Sequence, residues 1–182
     1  ELTSIKLDSN TVDDAAVMAV AQHCPKLETL LLSSNNITWT SLLVLSERGL
    51  PLKELDIGTI PHIPTANIAR RCSYALSCIP NLSTAYIYKN GKQASILIPY
   101  MTGLTSMCFS SFSASSIYIP MLKQYCHQLT EIAVWSSSYT VADILSLCCA
   151  NPLLQVISCY FSNGFTDTTL IELIHACPHL HT

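Results

Sequence analysis

The sequence predicts an α/β chain built as a stack of strand–helix units, and three observations carry that prediction. A six-residue pattern with apolar residues at its first, fourth and sixth positions begins at Leu2, Leu27, Leu52, Leu82, Leu104, Leu129 and Leu154, and an eighth begins at Leu180. Successive starts lie 25, 25, 30, 22, 25, 25 and 26 residues apart. Helical stretches stand between the patterns at 12–24, 39–46, 67–78, 141–149 and 168–177, and Pro25, Pro80, Pro152 and Pro178 follow four of them. Proline lacks the N–H that a helix needs and clashes with the preceding turn, so each helix ends before the next pattern starts.

Each unit follows the same plan. In the first, Leu2, Ile5 and Leu7 alternate with polar residues, the period of a strand with one buried face. Asn10 follows in the turn, as Asn35 and Asn90 do in later units, where a side-chain amide can satisfy backbone groups left open by the bend. Asp13 and Asp14 then stand where a helix N-terminus favours acids. Adjacent residues point apart on a helix, so this pair reads as capping and not as paired catalytic carboxylates. The third unit is long and holds Pro61 and Pro64, which predicts a protruding loop. The fourth is short, and its Pro99 interrupts or shortens any helix there. The helix positions of the fourth and fifth units are the least defined by the pattern.

The junctions between helix and strand carry a second regularity. They read Cys24-Pro25-Lys26-Leu27 and Cys177-Pro178-His179-Leu180, with Cys126-His127-Gln128-Leu129 and Cys78-Ile79-Pro80-Asn81-Leu82 as variants. This resembles the leucine-rich repeat in its cysteine-containing subtype, across essentially the whole chain, departing at Gly49 where the cysteine is missing. The resemblance implies one domain over 1–182, a solenoid curved so that parallel strands line the concave face and helices the convex face. It also implies protein–protein recognition. F-box substrate receptors of ubiquitin ligases are among the proteins with such repeats, so the resemblance extends to the substrate-recognition part of a ligase adaptor, although the repeats leave no room here for an F-box. Leu2 opens a strand at once and Leu180 starts another, so the chain is expected to be an uncapped segment of a longer protein whose ends can self-associate.

Composition narrows the function. Of 182 residues, 49% are hydrophobic and 12% charged, and the net charge is −3, which gives no footprint for nucleic acid. No apolar run approaches the roughly 18 residues of a membrane span. The nine cysteines, at 24, 72, 78, 108, 126, 148, 149, 159 and 177, are odd in number and form no CxxC motif. Those at 24, 78, 126, 149 and 177 fall at helix ends and read as small core residues in a reducing compartment, cytoplasmic or nuclear. Cys108 falls on the outward position of a strand and is the thiol expected to react. Phosphate-binding, nucleophile-elbow and zinc-protease motifs are missing, so no catalytic residue and no cofactor is expected. His175, Cys177, His179 and His181 are dense but have no partner ligand at another spacing, so no metal site is expected either. Sequons at Asn36 and Asn81 keep a secreted or cell-surface receptor as the alternative, and a structural scaffold is the second alternative.

If positions 1, 4 and 6 are buried, positions 3, 5 and 7 face outward and form the expected partner surface. Tyr86, Tyr88, Trp135 and Tyr160 lie on it, with Leu31, Glu54, Asp56 and Cys108. Aromatic side chains anchor interfaces because they bury much area with few rotors, although they also pack across strands. Glu54 and Asp56 form an acidic step that favours a basic partner residue.

Overall fold

A computed structural model describes residues 1–9, 11–32, 36–56, 66–79, 81–88, 97–110, 118–135, 139–160 and 164–181, without the side chains at 66, 69, 73, 87, 88, 109, 110 and 160. The turn residues Asn10, Asn35 and Asn90 and the predicted loop with Pro61 and Pro64 lie outside the described residues.

The strands are β1 (Ser4–Leu7), β2 (Thr29–Leu32), β3 (Glu54–Asp56), β4 (Thr84–Tyr88), β5 (Ser106–Ser110), β6 (Glu131–Trp135) and β7 (Val156–Tyr160). They form one sheet of seven strands in chain order, every neighbouring pair parallel. The helices are α1 (Asp14–His23), α2 (Trp39–Glu47), α3 (Ala66–Ser77), α4 (Tyr118–Tyr125), α5 (Val141–Ala150) and α6 (Asp167–Ala176). Where Pro99 predicts a shortened helix there is a single 3-10 turn, Ile98–Tyr100. Helices and turn pack side by side in the order of the strands.

Register follows from one backbone motif. The carbonyl of Thr3 accepts the N–H groups of Glu28 at 2.8 Å and Thr29 at 3.1 Å, and the carbonyls of Glu28, Lys53, Ser83, Thr105 and Thr130 each do the same for the next unit. Hydroxyls reinforce the ladder, since Ser83, Thr105 and Thr130 also donate their side chains to the carbonyl before them. The carbonyl of Gln155 accepts the N–H of His181 at 2.8 Å, so the last residues enter the same ladder. This register stacks Leu30, Leu55, Ala85, Met107 and Ile132 in one row, all buried against the helices. Removing such side chains from water stabilises the fold by about 1.5–3 kcal/mol per large residue.

One residue closes each junction, three places before the leucine that opens the next pattern: Cys24, Gly49, Ile79, Met101, Cys126, Asn151 and Cys177. The carbonyls of Cys24, Ile79, Met101, Asn151 and Cys177 accept the N–H of that leucine at 3.1–3.4 Å. Gly49 holds its place with φ +62°, a conformation that favours glycine over any residue with a Cβ. The expected core roles of Cys78 and Cys149 are corrected here: both thiols are exposed, and Ile79 and Asn151 fill the closing position instead. Buried Asn151 satisfies itself by accepting the Leu129 N–H at 3.2 Å and donating to the Leu147 carbonyl at 3.3 Å. The thiols of Cys126 and Cys177 point back to the closing carbonyl of the preceding unit, on Met101 and Asn151, at 3.8 Å. None of the nine cysteines is disulfide-bonded.

Helix starts are capped by side chains. Asp13 accepts the Ala16 N–H at 3.0 Å, and Thr140 and Thr166 form reciprocal boxes with Asp143 and Thr169. Asp14 does something the sequence did not suggest. Its carboxylate reaches into the next unit and accepts the Thr38 N–H at 2.7 Å and the Thr38 and Ser41 hydroxyls at 2.5 Å each. Burial disfavours its charge, but these hydrogen bonds outweigh burial and hold the carboxyl below its ordinary value of 3.8. At the other end, Val17, Leu42, Cys72, Ile119 and Ile144 occupy equivalent helix positions and are all at most 3% exposed, whereas Leu170 in α6 is 49% exposed. Among the described residues no helix follows α6 to cover it.

Asp14→Ala is expected to lower unfolding stability by about 2–3 kcal/mol in chemical denaturation near neutral pH, because the buried Ser41 hydroxyl and the Thr38 amide lose a charged acceptor. A depressed folded-state value means that the stabilisation is present above the unfolded value and fades as pH falls through the folded one. The gap between wild type and variant should therefore narrow on acidification below about pH 4.

Candidate functional site

The face of the sheet turned away from the helices carries two rows of side chains. The first runs Ser4, Thr29, Glu54, Thr84, Ser106, Glu131, Val156 across all seven strands. The second includes Tyr86, Cys108, Ala133 and Ser158, two residues further along β4 to β7. Thr29, Glu54, Thr84, Ser106 and Glu131 of the first row and these four of the second line a groove of about 600 Å³, together with Lys53, Ser83, Met107 and Trp135.

Polar contacts hold the groove together. The Tyr86 hydroxyl donates to Glu54 Oε1 at 2.8 Å, and the Ser106 hydroxyl donates to Glu131 Oε2 at 3.2 Å. Lys53 Nζ is held by Glu28 at 2.8 Å. Burial, then the hydrogen bond and charge of Glu54, then Cys108 and Glu131, push the Tyr86 phenol up to about 12. The carboxylates of Glu54 and Glu131 both line the groove, and their charge disfavours a further anion there.

Several predicted site residues meet here. Glu54, Tyr86, Cys108 and Trp135 all line the groove, and Trp135 is 53% exposed. Leu31 sits half-buried on β2, outside the groove lining. Tyr88 and Tyr160 occupy β4 and β7, and their side chains lie outside the described residues. Two expectations are corrected. Asp56 is not an exposed acidic step: it is 5% exposed and does not line the groove. Cys108 is half-buried, and burial pushes its thiol up; the hydrogen bond from Trp135 opposes that, while Asp56 and Glu131 add to it. That environment disfavours the thiolate, and the exposed thiols are Cys78 and Cys149.

Glu131, at the outward third position of its pattern like Glu54, also lines the groove and shares the row of Glu54. Lys53, at a second position, lines it without a signal in the pattern. A second hollow of about 440 Å³ lies between α2 and α3, lined by Leu43, Ser46, Glu47, Arg70, Arg71, Tyr74, Ala75 and Cys78. Among the described residues no three His, Cys, Asp or Glu side chains come together to hold a metal ion. No helix of the described residues is long and apolar enough to cross a membrane.

A raised folded-state value keeps the phenol neutral, so its contribution to stability is present below the unfolded value of 10 and lost as pH rises through about 12. In ultraviolet titration, Tyr86→Phe should remove one phenol ionising near 12, and Glu54→Gln should move that transition toward 10. No family model matches the chain and no curated protein matches it, so the site stands on the chemistry of its own residues.

Proposed function

We propose that this chain is a leucine-rich-repeat solenoid that recognises a protein partner through the open face of its sheet. Strand order supports the solenoid over a doubly wound sheet. A doubly wound sheet reverses direction at a switch point, whereas this one runs β1 to β7 in sequence with helices packed in the same order. The observation that carries recognition is the groove itself, an open hollow with a half-exposed tryptophan and preset carboxylates and hydroxyls. Aromatic anchors in such hollows supply much of the energy of protein interfaces. A role as the substrate-recognition part of a ubiquitin-ligase adaptor rests on the resemblance of the Cys-Pro junctions.

The test is a peptide-display selection on the folded chain. Enriched binders should lose at least about tenfold in affinity to the Tyr86→Ala/Trp135→Ala double variant, the size of a two-residue hot spot. They should keep their affinity for Tyr74→Ala, a 72% exposed position on α3. Binders indifferent to Tyr86 and Trp135 would sink the proposal.

We also place the protein in a reducing compartment, since all nine thiols are unpaired and Cys72 and Cys126 are kept protonated by burial, each pushed up to about 11. Alkylation of the denatured protein from its own source, without reductant, should label nine cysteines. Paired cysteines, or sugar on Asn36 or Asn81, would favour the cell-surface receptor instead.

A further inference from the structure

Within that reading, which this inference rests on, the groove also specifies the chemistry of its occupant. Glu54 and Glu131 share one row, on β3 and β6. Three strand spacings of about 4.8 Å set their backbones about 14 Å apart. Each carboxylate is turned toward the strands between them, Glu54 by the hydroxyl of Tyr86 on β4 and Glu131 by that of Ser106 on β5. The one cation lining the groove among the described residues, Lys53, is engaged by Glu28 outside it. The hollow is thus left with two acidic poles, a hydroxyl floor and an aromatic rim at Trp135.

We propose that the occupant is an extended, basic protein segment laid across β3 to β6, with two Lys or Arg side chains four residues apart, one at Glu54 and one at Glu131. The spacing is geometric. In an extended chain the side chains of residues i and i+4 point the same way and leave the backbone about 13–14 Å apart, matching the backbone separation of Glu54 and Glu131. Side chains two apart leave the backbone only about 7 Å apart, half the separation of the two glutamate positions. Trp135 stands at the other end of β6 from Glu131, half-exposed on the groove, where a bound segment can rest against the indole. An acidic segment or a nucleic acid meets the same field with the opposite sign of interaction.

The probe is a blocked heptapeptide of glycine and serine with arginines at its second and sixth positions, followed through tryptophan fluorescence. The only other tryptophan, Trp39, is 5% exposed, so the signal reports Trp135. Saturable binding is expected, weakening about fivefold or more when either arginine is replaced, when the two are moved to two residues apart, or in Glu54→Gln or Glu131→Gln. Gln keeps the size of Glu and an acceptor for Tyr86 and Ser106, and thermal melts of both variants check that folding is intact. Equal binding of a peptide with glutamates in place of the arginines, or unchanged binding to both Gln variants, overturns the proposal. Display-selected binders that need Trp135 yet lack a basic pair and ignore the Gln variants would also overturn it while leaving the sheet face standing as the binding surface. Binders indifferent to Tyr86 and Trp135 would remove both.

Discussion

The interaction on which the rest depends is the doubly used carbonyl at the second position of each strand pattern. By accepting two N–H groups from the following strand, the carbonyls of Thr3, Glu28, Lys53, Ser83, Thr105 and Thr130 fix the register of every neighbouring pair. A slip of one residue would turn each buried row outward and each outward row inward. With the register set, Leu30 to Ile132 must stack as a core and Glu54 to Glu131 must stack as a surface. The groove is therefore a consequence of the ladder, made from side chains drawn from Thr29 to Ser158 in sequence.

The second constraint is the junction. A helix must stop and a strand must start with only five or six residues between them, in a space too tight for an unsatisfied polar group. This chain solves it in several ways: a thiol at Cys24, Cys126 and Cys177, a left-handed glycine at Gly49, apolar side chains at Ile79 and Met101, and a doubly bonded amide at Asn151. The common requirement is a carbonyl that closes a short turn onto the next leucine, which most of these residues supply from the backbone. Side-chain identity then varies with the space left between layers. Asp14 adds a tie of another kind, bonding the first helix to the cap of the second.

The strands were legible because alternation is a local property: Leu27, Leu30 and Leu32, or Leu129, Ile132 and Val134, declare their buried face without reference to neighbours, whereas Leu2 and Leu7 of the first unit follow the same alternation and are exposed. Most helix positions followed from the prolines. What escaped was anything set across units. Cys78 and Cys149 were placed at the junction because a cysteine stands there elsewhere, but the closing position is fixed by its distance from the next leucine, which points to Ile79 and Asn151. In the groove, Glu54, Tyr86 and Trp135 follow from strand parity alone. The burial of Asp56 and the raised thiol of Cys108 do not, since both depend on which side chains lie on adjacent strands. Glu131 gains its meaning only when register places it in the row of Glu54.

Alternation also separates the two tasks of each strand. Residues facing the helices are tied to packing, where losing a large side chain costs about 2–5 kcal/mol. Residues on the open face carry far less of that burden, so their chemistry can be set by a partner. The carboxylates there still have to be kept without one, and the hydroxyls of Tyr86 and Ser106 do this by giving each a neutral donor. A neutral donor satisfies a lone pair without cancelling the charge of the carboxylate. An incoming cation then meets acceptors already oriented, and little side-chain entropy remains to be lost when it binds. An arginine at Tyr86 or Ser106 would hold the same carboxylates more firmly and leave them nothing to recognise.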